Sequence, residues 1–147
     1  MKFTSLAVAA LTFALPAFAQ VTESVSYDNT YDDASTSLSV VACSNGLYGL
    51  ETQGYTTFGS LPDFPYIGGA YTVAGWDSPN CGTCYELTYY NPATETSTTI
   101  AVLAVDVALD GFNVSEEAMN ALTGGLAVEL GRVTVTSVEV DKSVCGL

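Results

Sequence analysis

The residues Cys81-Gly82-Thr83-Cys84 form a C-x-x-C motif, which suggests chemistry more directly than any other segment of the sequence. Such a motif can be a redox-active dithiol, half of a zinc site, or two cysteines that belong to separate structural bridges. A thioredoxin-like dithiol lies at the start of a helix in a βαβ unit. Here the motif follows a turn-forming segment and precedes residues 85–90, which are rich in β-forming aromatic types. We therefore expect the pair to open a strand, which favours structural bridges.

The full set of thiols supports the same interpretation. The sequence has no histidine, and its four cysteines are Cys43, Cys81, Cys84 and Cys145. A zinc site would therefore need all four thiolates as ligands. An even number of cysteines in a secreted chain is typical of a disulfide framework, although four cysteines allow three pairings that sequence alone does not distinguish. We predict two structural disulfides, no metal site and no cofactor.

The first residues of the chain have the features of a secretory signal peptide. Lys2 supplies the positive charge, residues 6–15 are an apolar run, and Ala17-Phe18-Ala19 matches the A-x-A cleavage pattern. The apolar run is too short to span a bilayer. We predict a signal peptide over residues 1–19, a single secreted domain over residues 20–147, and no membrane-spanning segment.

The charge of the mature chain excludes several classes of partner. Without the signal peptide, Arg132 and Lys142 are the two cations against 16 acidic residues, a formal net charge of −14. Nucleic acids and anionic membranes require a basic face, which two cations cannot form. Mutual repulsion keeps such molecules dispersed, so we expect a monomer. A neutral polysaccharide is compatible with this charge.

The hydrophobic pattern predicts two strands and one helix with some precision. Residues 98–105 are almost continuously apolar, as in a strand that is buried on both faces, whereas residues 132–140 alternate, as in a strand with one wet face. Between them, Ser115 is a candidate N-cap and Gly124 a candidate stop for a helix.

Other segments give weaker predictions. Asp32 or Asp33 could cap a short helix over residues 34–40. Residues 59–65 and 67–70 contain glycine and proline at loop-forming positions, and we expect these loops to pack down through their hydrophobic side chains. Many strands, few helices and tight turns together favour a mainly β fold, a small barrel.

Several segments taken together resemble the cerato-platanins, small secreted proteins of filamentous fungi. The residues that carry the resemblance are VSYD at 25–28, VACSNG at 41–46, GG at 68–69, GWDSPNCGTC at 75–84, VD at 105–106, GFNV at 111–114 and the final Cys145. The resemblance implies a six-stranded double-psi β-barrel with a few short helices, akin to the first domain of expansins. It also implies the disulfide pairing Cys43–Cys81 and Cys84–Cys145.

The same resemblance implies a function. Cerato-platanins bind chitin-type oligomers of N-acetylglucosamine in a shallow groove, some loosen cellulosic material as expansins do, and plants perceive many as elicitors of defence. The family's groove residues correspond here to Asp106 and Asn113. The implied partners are N-acetylglucosamine oligomers or cell-wall polysaccharide and a plant immune receptor, and the implied location is extracellular or in the fungal wall. Proteins of this type can also be human antigens or allergens.

Two other function classes remain open. A glycoside hydrolase would need a second carboxylate beside Asp106, but none of Asp110, Asp77 and Asp28 has a spacing that indicates a facing pair, so we predict no catalytic residue. A surface-active or immunogenic protein that self-assembles at interfaces, without a physiological sugar ligand, is the third class. Its support is the 48% hydrophobic content, part of which lies in the signal peptide.

Two further features bear on the groove. Aromatic rings could stack on sugar, and the candidates are Tyr27, Tyr55, Tyr66, Tyr71 and Trp76; we favour core or rim packing for each, with Trp76 packed beside the disulfide turn. Asn113-Val114-Ser115 is also an N-x-S glycosylation sequon, and a glycan on Asn113 would obstruct the groove. If Ser115 caps the helix, local rigidity disfavours that modification.

Overall fold

The protein is a closed β-barrel in a computed structural model that describes residues 19–147; the predicted signal peptide lies outside the described residues except for Ala19. The six strands are β1 Val21–Tyr27, β2 Ile67–Ala70, β3 Cys84–Asn91, β4 Thr96–Val107, β5 Phe112–Val114 and β6 Arg132–Val140. They follow one another around the barrel in the order β1-β5-β2-β4-β3-β6. The predicted six-stranded barrel is therefore confirmed.

The barrel mixes parallel and antiparallel pairs. Strand β3 is antiparallel to both β4 and β6, and β1 is antiparallel to β6. Strand β5 lies parallel to β1 and antiparallel to β2, and β2 lies parallel to β4. Because parallel neighbours are joined by long connections, residues far apart in sequence meet in the region formed by β1, β5, β2 and β4.

The burial of β4 and β6 follows the hydrophobic pattern. Val133, Val135 and Ser137 of β6 are buried and alternate with more exposed residues, as predicted. In β4, the four residues 102–105 are buried, but residues 96–99 are exposed. The prediction of burial on both faces, made for residues 98–105, therefore holds for residues 102–105 and is wrong for Thr98 and Thr99, which are exposed.

The predicted helix is α1, Glu116–Thr123, and a second short helix, α2, covers Ala127–Leu130. The side chain of Ser115 accepts a hydrogen bond from the Ala118 N–H, and Gly124 ends α1 in the left-handed region at a φ of 71°. Both predicted ends are confirmed, for the physical reasons that suggested them.

The predicted helix over residues 34–40 is wrong. Only a single 3-10 turn, Leu38–Val40, forms there, and the Asp33 carboxylate instead accepts from the Ser35 N–H in a local turn. Asp32 caps a helix, but a distant one: its two oxygens accept from the N–H groups of Glu116 and Glu117 at 2.8 and 3.0 Å. Further 3-10 turns lie at Asn29–Asp32, Glu51–Gln53, Phe58–Ser60 and Lys142–Cys145.

Residues 67–70, which we expected to be a loop, form the buried strand β2. Two glycines allow this strand to fit between its neighbours. A Cβ atom on Gly69 would lie 2.5 Å from the Val107 carbonyl oxygen, and one on Gly68 would contact the carbonyl oxygen of Asn113. Glycine therefore reflects a close approach of strands here rather than a turn. The expected packing of residues 59–65 is confirmed by the buried side chain of Leu61.

The two disulfides join Cys43 to Cys81 and Cys84 to Cys145, as the resemblance implied. The cysteines of the C-x-x-C motif thus belong to different bridges, and Cys84 is the first residue of β3, as predicted. Within residues 19–147, no helix is long and apolar enough to cross a membrane.

Candidate functional site

The two residues predicted to bind carbohydrate flank a single glycine. Gly69 of β2 pairs with Asp106 of β4 on one side and with Asn113 of β5 on the other. Adjacent strands lie about 4.8 Å apart, so the backbones of Asp106 and Asn113 are about two strand spacings from each other. The barrel topology therefore brings together two residues whose proximity the sequence could not show.

The row of polar residues continues across two more strands. Asn113 pairs with Ser26 of β1, and Ser26 pairs with Arg132 of β6. The Ser26 hydroxyl donates to Asn113 Oδ1 at 3.0 Å and accepts from Arg132 Nη2 at 3.0 Å. We call the residues Arg132, Ser26, Asn113, Gly69 and Asp106 the polar row. Sequence reasoning missed Arg132 because its place depends on strand register.

An acidic partner balances the charge of Arg132. Its Nη1 lies 3.6 Å from Oδ2 of Asp110, and both side chains are largely exposed, at 48% and 75%. Such a pair contributes little to stability, but it makes this end of the row close to neutral. A shallow cavity of about 320 Å³ opens here, and its lining consists of Ser26, Val107, Ala108, Leu109, Asp110, Asn113 and Arg132.

Asp106 borders this cavity rather than lining it, and its oxygens hold the surrounding chain. Oδ1 accepts from the backbone N–H groups of Ala42 and Val107 at 3.0 and 2.8 Å. Oδ2 accepts from the Tyr31 hydroxyl at 3.1 Å. Burial and the neighbouring Asp106 charge raise the pKa of Tyr31, so the phenol remains a donor. The Asp106 carboxylate is half-buried, and both of its oxygens already accept hydrogen bonds from the protein.

The three other carboxylates that we considered as hydrolytic partners of Asp106 are each engaged with another group. Asp28 accepts from the Thr30 N–H at 2.8 Å, Asp77 accepts from the Tyr48 N–H at 2.8 Å, and Asp110 lies beside Arg132. The negative charge of Asp28, like that of Asp106, raises the pKa of Tyr31. Among residues 19–147, no cluster of three or more His, Cys, Asp or Glu residues is placed to hold a metal ion.

The aromatic candidates divide into packed and exposed side chains. Tyr27, Tyr55 and Tyr66 are partly buried against the core, as expected. Tyr71, at the rim, makes an edge-to-face contact with Phe112 at 5.7 Å between ring centroids. The expectation of packing is wrong for Trp76, whose side chain is 66% exposed because it lies on an outward loop.

Trp76 lies on a loop that is hydrogen-bonded to a second loop, and both loops carry exposed apolar side chains. Its indole N–H donates to Asn45 Oδ1 at 2.8 Å, and the Tyr48 N–H donates to Asp77, so residues 45–48 and 76–77 are held side by side. Leu47 and Tyr48 are 78% and 42% exposed. We call Leu47, Tyr48 and Trp76 the loop patch.

The glycosylation sequon lies in a rigid part of the barrel. Asn113 is half-buried in β5, and the Ser115 side chain is fully buried, where it donates to the Pro65 carbonyl and accepts from the Ala118 N–H. This rigidity is the feature that we expect to disfavour a glycan on Asn113.

Comparison with known proteins gives a consistent result. The family model described as Cerato-platanin matches residues 23–147. The chain is 51% identical to Allergen Asp f 15 of Aspergillus fumigatus over 143 residues, 97% of this chain and 90% of that protein. Among solved structures, the crystal structure of cerato-platanin 2 from M. perniciosa superposes with a TM-score of 0.82 at 45% identity and covers 86% of this chain and all of that one. The solution structure of the fungal elicitor Cerato-Platanin has a TM-score of 0.72 at 46% identity and covers 83% and 95% of the two chains. The chain therefore belongs to the cerato-platanin family.

Proposed function

We propose that this protein is a secreted, non-lytic carbohydrate-binding protein that binds N-acetylglucosamine oligomers or neutral cell-wall polysaccharide along the polar row. The observation that carries the proposal is the alignment of Arg132, Ser26, Asn113 and Asp106 across five adjacent strands, with Gly69 between the last two. Gly69 contributes no side chain to the row, and the place of a Cβ there is filled by the Val107 carbonyl, so the ligand contacts would come from the other four residues.

The chemistry of the row suits a neutral, polyhydroxylated ligand. Asn113 uses its carbonyl oxygen for Ser26, and an asparagine amide group has two further N–H donors. Arg132 adds guanidinium donors, while Asp110 beside it offers acceptors and balances its charge. Sugar hydroxyls both donate and accept, and an N-acetyl carbonyl accepts, so each of these groups has a partner on an N-acetylglucosamine chain.

The arrangement supports binding rather than hydrolysis. Glycosidases of the usual kind use two carboxylates, one on each side of the scissile bond. Here Asp106 accepts three hydrogen bonds from the protein itself, and Asp28, Asp77 and Asp110 each have a partner elsewhere. We propose that any loosening of wall material results from competition for polysaccharide hydrogen bonds. Release of reducing sugar by the wild type, and its loss in Asp106→Asn, would instead support the hydrolase alternative.

An NMR titration of isotope-labelled residues 20–147 with a soluble hexasaccharide of N-acetylglucosamine tests the proposal. We expect saturable amide shifts around Ser26, Asn113 and Arg132, with binding weakened about tenfold in Asn113→Ala. Asn91→Ala is the matched control, because Asn91 lies at the end of β3, outside the polar row. Shifts that are absent at millimolar ligand, or that are equal in Asn113→Ala and wild type, would refute binding at this row.

We further propose that plant cells perceive the secreted protein as an elicitor of defence through an immune receptor. A structural relative at 46% identity is itself described as a fungal elicitor. The test is to infiltrate leaves with purified protein and to follow the oxidative burst. Protein that has been reduced and denatured is the control, and equal responses to both would show that the fold plays no part.

The loop patch favours a second candidate function, adsorption at apolar interfaces. Leu47 and Trp76 are both largely exposed on hydrogen-bonded neighbouring loops. An isolated exposed apolar residue is ordinary, but a contiguous set indicates a contact surface. We expect a Leu47→Ser, Trp76→Ser double variant to lower surface tension less than wild type in a pendant-drop measurement. Equal activity of the two proteins would remove the support for this candidate.

A further inference from the structure

Four threonines on four neighbouring strands form one continuous line across the barrel. Thr22 of β1 pairs with Thr136 of β6, Thr136 pairs with Thr88 of β3, and Thr88 pairs with Thr99 of β4. The hydroxyl oxygens of Thr88 and Thr99 lie 2.7 Å apart. Only the β3–β4 pair joins strands that follow one another directly in the chain. The alignment of the four threonines therefore depends on the register in which the strands pair.

A second line with the same chemistry lies two residues further along each strand. Ser24 pairs with Thr134, and Tyr90 pairs with Ser97. Side chains two residues apart in a strand share a face. Tyr89 and Val135, which lie between the two lines on β3 and β6, pack in or against the core, so both lines face outward. We call this surface the hydroxyl face; it consists of Thr22, Ser24, Thr88, Tyr90, Ser97, Thr99, Thr134 and Thr136.

The composition of the hydroxyl face differs from that of most solvent-exposed sheet faces. All eight side chains carry a hydroxyl group and none is charged, in a chain with 16 acidic residues. Charged side chains commonly make up about a quarter to a third of a soluble surface. Charged groups lie at the edges of this surface: Ser24 accepts from Arg132 Nη1 at 2.6 Å and donates to Asp110 Oδ2 at 3.3 Å, and Glu86 lies two residues before Thr88 on β3. An uncharged partner would therefore meet hydroxyl groups at the centre of the surface and charges only at its edges.

The face also holds a cavity and an aromatic ring. The cavity has a volume of about 520 Å³ and is lined by Gln20, Thr22, Thr88, Tyr90, Ser97, Thr134, Val135 and Thr136. Tyr90 is 54% exposed within it. An exposed ring presents a flat apolar surface with a polar edge, which can lie against the C–H face of a sugar while the hydroxyls around it bind the sugar's own hydroxyls.

We propose that the hydroxyl face is a second saccharide-binding surface, whose ligand is a neutral polysaccharide chain stacked on Tyr90. Repeated hydroxyls on neighbouring strands match a ligand that itself repeats. The face is also continuous with the polar row, because Ser24 and Ser26 follow one another on the outer side of β1, as do Thr134 and Arg132 on β6. The ligand class rests on the proposed function, whereas the site does not.

The experiment is an amide titration of residues 20–147 with hexasaccharides of β-linked glucose and of N-acetylglucosamine. We expect saturable shifts at Thr88, Tyr90 and Thr134 and binding about tenfold weaker in Tyr90→Ala, since one stacked ring carries much of such a contact. Tyr90→Phe keeps the ring and should bind like wild type. Tyr48→Ala, at an exposed tyrosine outside the face, is the control. Ser97→Glu, at an exposed position, tests the face if Tyr90→Ala does not fold.

The outcomes separate this inference from the proposed function. Shifts on the hydroxyl face that persist in Asn113→Ala and weaken in Tyr90→Ala support the second surface. Shifts confined to the polar row would overturn the second surface and leave the proposed function standing. Shifts on the hydroxyl face without any at the polar row would support the second surface and overturn the first site. An absence of shifts with both sugars would overturn both.

Discussion

Tyr31 donates its hydroxyl hydrogen to Oδ2 of Asp106 across 3.1 Å, which joins the 3-10 turn after β1 to the end of β4. The other oxygen of Asp106 holds the backbone of Ala42, the residue before a disulfide cysteine. Asp106 therefore joins separate segments of the chain, whether or not it also contacts sugar. A loss of sugar binding in Asp106→Ala would not by itself show contact with sugar, which is why Asn113 is the better position for testing the groove.

We predict that Asp106→Ala lowers the free energy of unfolding by about 1–3 kcal/mol, because its three hydrogen-bond donors lose their acceptor. Asp106→Asn keeps a carbonyl oxygen and should cost less. Urea unfolding followed by far-UV circular dichroism measures both. Asp110→Ala, at a 75% exposed side chain, should change stability by less than about 0.5 kcal/mol. An unfolding midpoint for Asp106→Ala equal to that of wild type would contradict the prediction.

A second prediction concerns Asp63, whose Oδ2 is buried without a hydrogen-bond partner among the described residues. Burial raises the pKa of Asp63 to about 7. Since the folded state holds this proton more tightly than the unfolded state, its contribution to stability is complete below about pH 4 and is lost as pH rises through the folded pKa. Asp63→Asn mimics the protonated form, so we expect it to stabilise the protein at about pH 8 and to be neutral near pH 4.

Asp33 provides a control of opposite sign when thermal unfolding is also followed below about pH 4. Hydrogen bonds from the Ser35 side chain and backbone lower the pKa of the exposed Asp33 carboxyl. Its contribution is therefore present above the ordinary aspartate pKa and lost as pH falls. We expect Asp33→Asn to reduce stability at neutral pH. If Asp63→Asn and wild type show parallel pH profiles, then Asp63 does not titrate as described.

A third prediction follows from the long-range cap on α1. Asp32 accepts from the N–H groups of Glu116 and Glu117, and its negative charge lies at the positive end of the helix dipole. We predict that Asp32→Ala lowers the free energy of unfolding by about 1 kcal/mol. Amide exchange should also become faster in the first turn of α1. Asp32→Asn, which keeps one acceptor oxygen, should recover part of the loss; equal exchange rates in Asp32→Ala and wild type would argue against the cap.

A fourth prediction compares two glycines. Gly69→Ala places a Cβ 2.5 Å from the Val107 carbonyl oxygen in the barrel wall, whereas a Cβ on Gly75 meets nothing within 4 Å. We expect Gly69→Ala to destabilise the protein by about 1–3 kcal/mol, because backbone must move to admit the methyl group. Gly75→Ala should be neutral or slightly stabilising. Similar unfolding midpoints for the two variants would mean that β2 adjusts more easily than its close packing implies.

The sequence predicted those elements whose signals are local. Strand β6 and helix α1 appeared where alternation, the Ser115 cap and the Gly124 stop placed them. Strand β2 did not, because its two glycines resemble a turn until the neighbouring strands are present. The predicted helix over residues 34–40 failed for a related reason: the Asp32 cap was real, but its helix lay more than eighty residues away in sequence.

The residues of the candidate site likewise fall into those that the sequence indicated and those that it could not indicate. The family resemblance pointed to Asp106 and Asn113, and the barrel places both beside Gly69. Arg132 and the hydroxyl face could not have been found from sequence, because both depend on the register of β1 with β6 and of β6 with β3. The exposure of Trp76 also depends on where its loop leaves the barrel.

The separate partners of Cys81 and Cys84 affect what a peptidase could do to this molecule. The bonds Cys43–Cys81 and Cys84–Cys145 enclose two long and successive stretches of chain. A single cut within either stretch leaves both pieces covalently attached, so a nicked molecule still holds its fragments in place. One cut can release a fragment only before Cys43, between Cys81 and Cys84, or after Cys145. The link between the two bridges is protected because Gly82 and Thr83 are buried, whereas the segment before Cys43, which contributes β1 and Tyr31, is partly exposed. The resistance of this protein to digestion therefore depends most on how well the first segment stays folded against the barrel and on how well the short link between the two bridges stays buried.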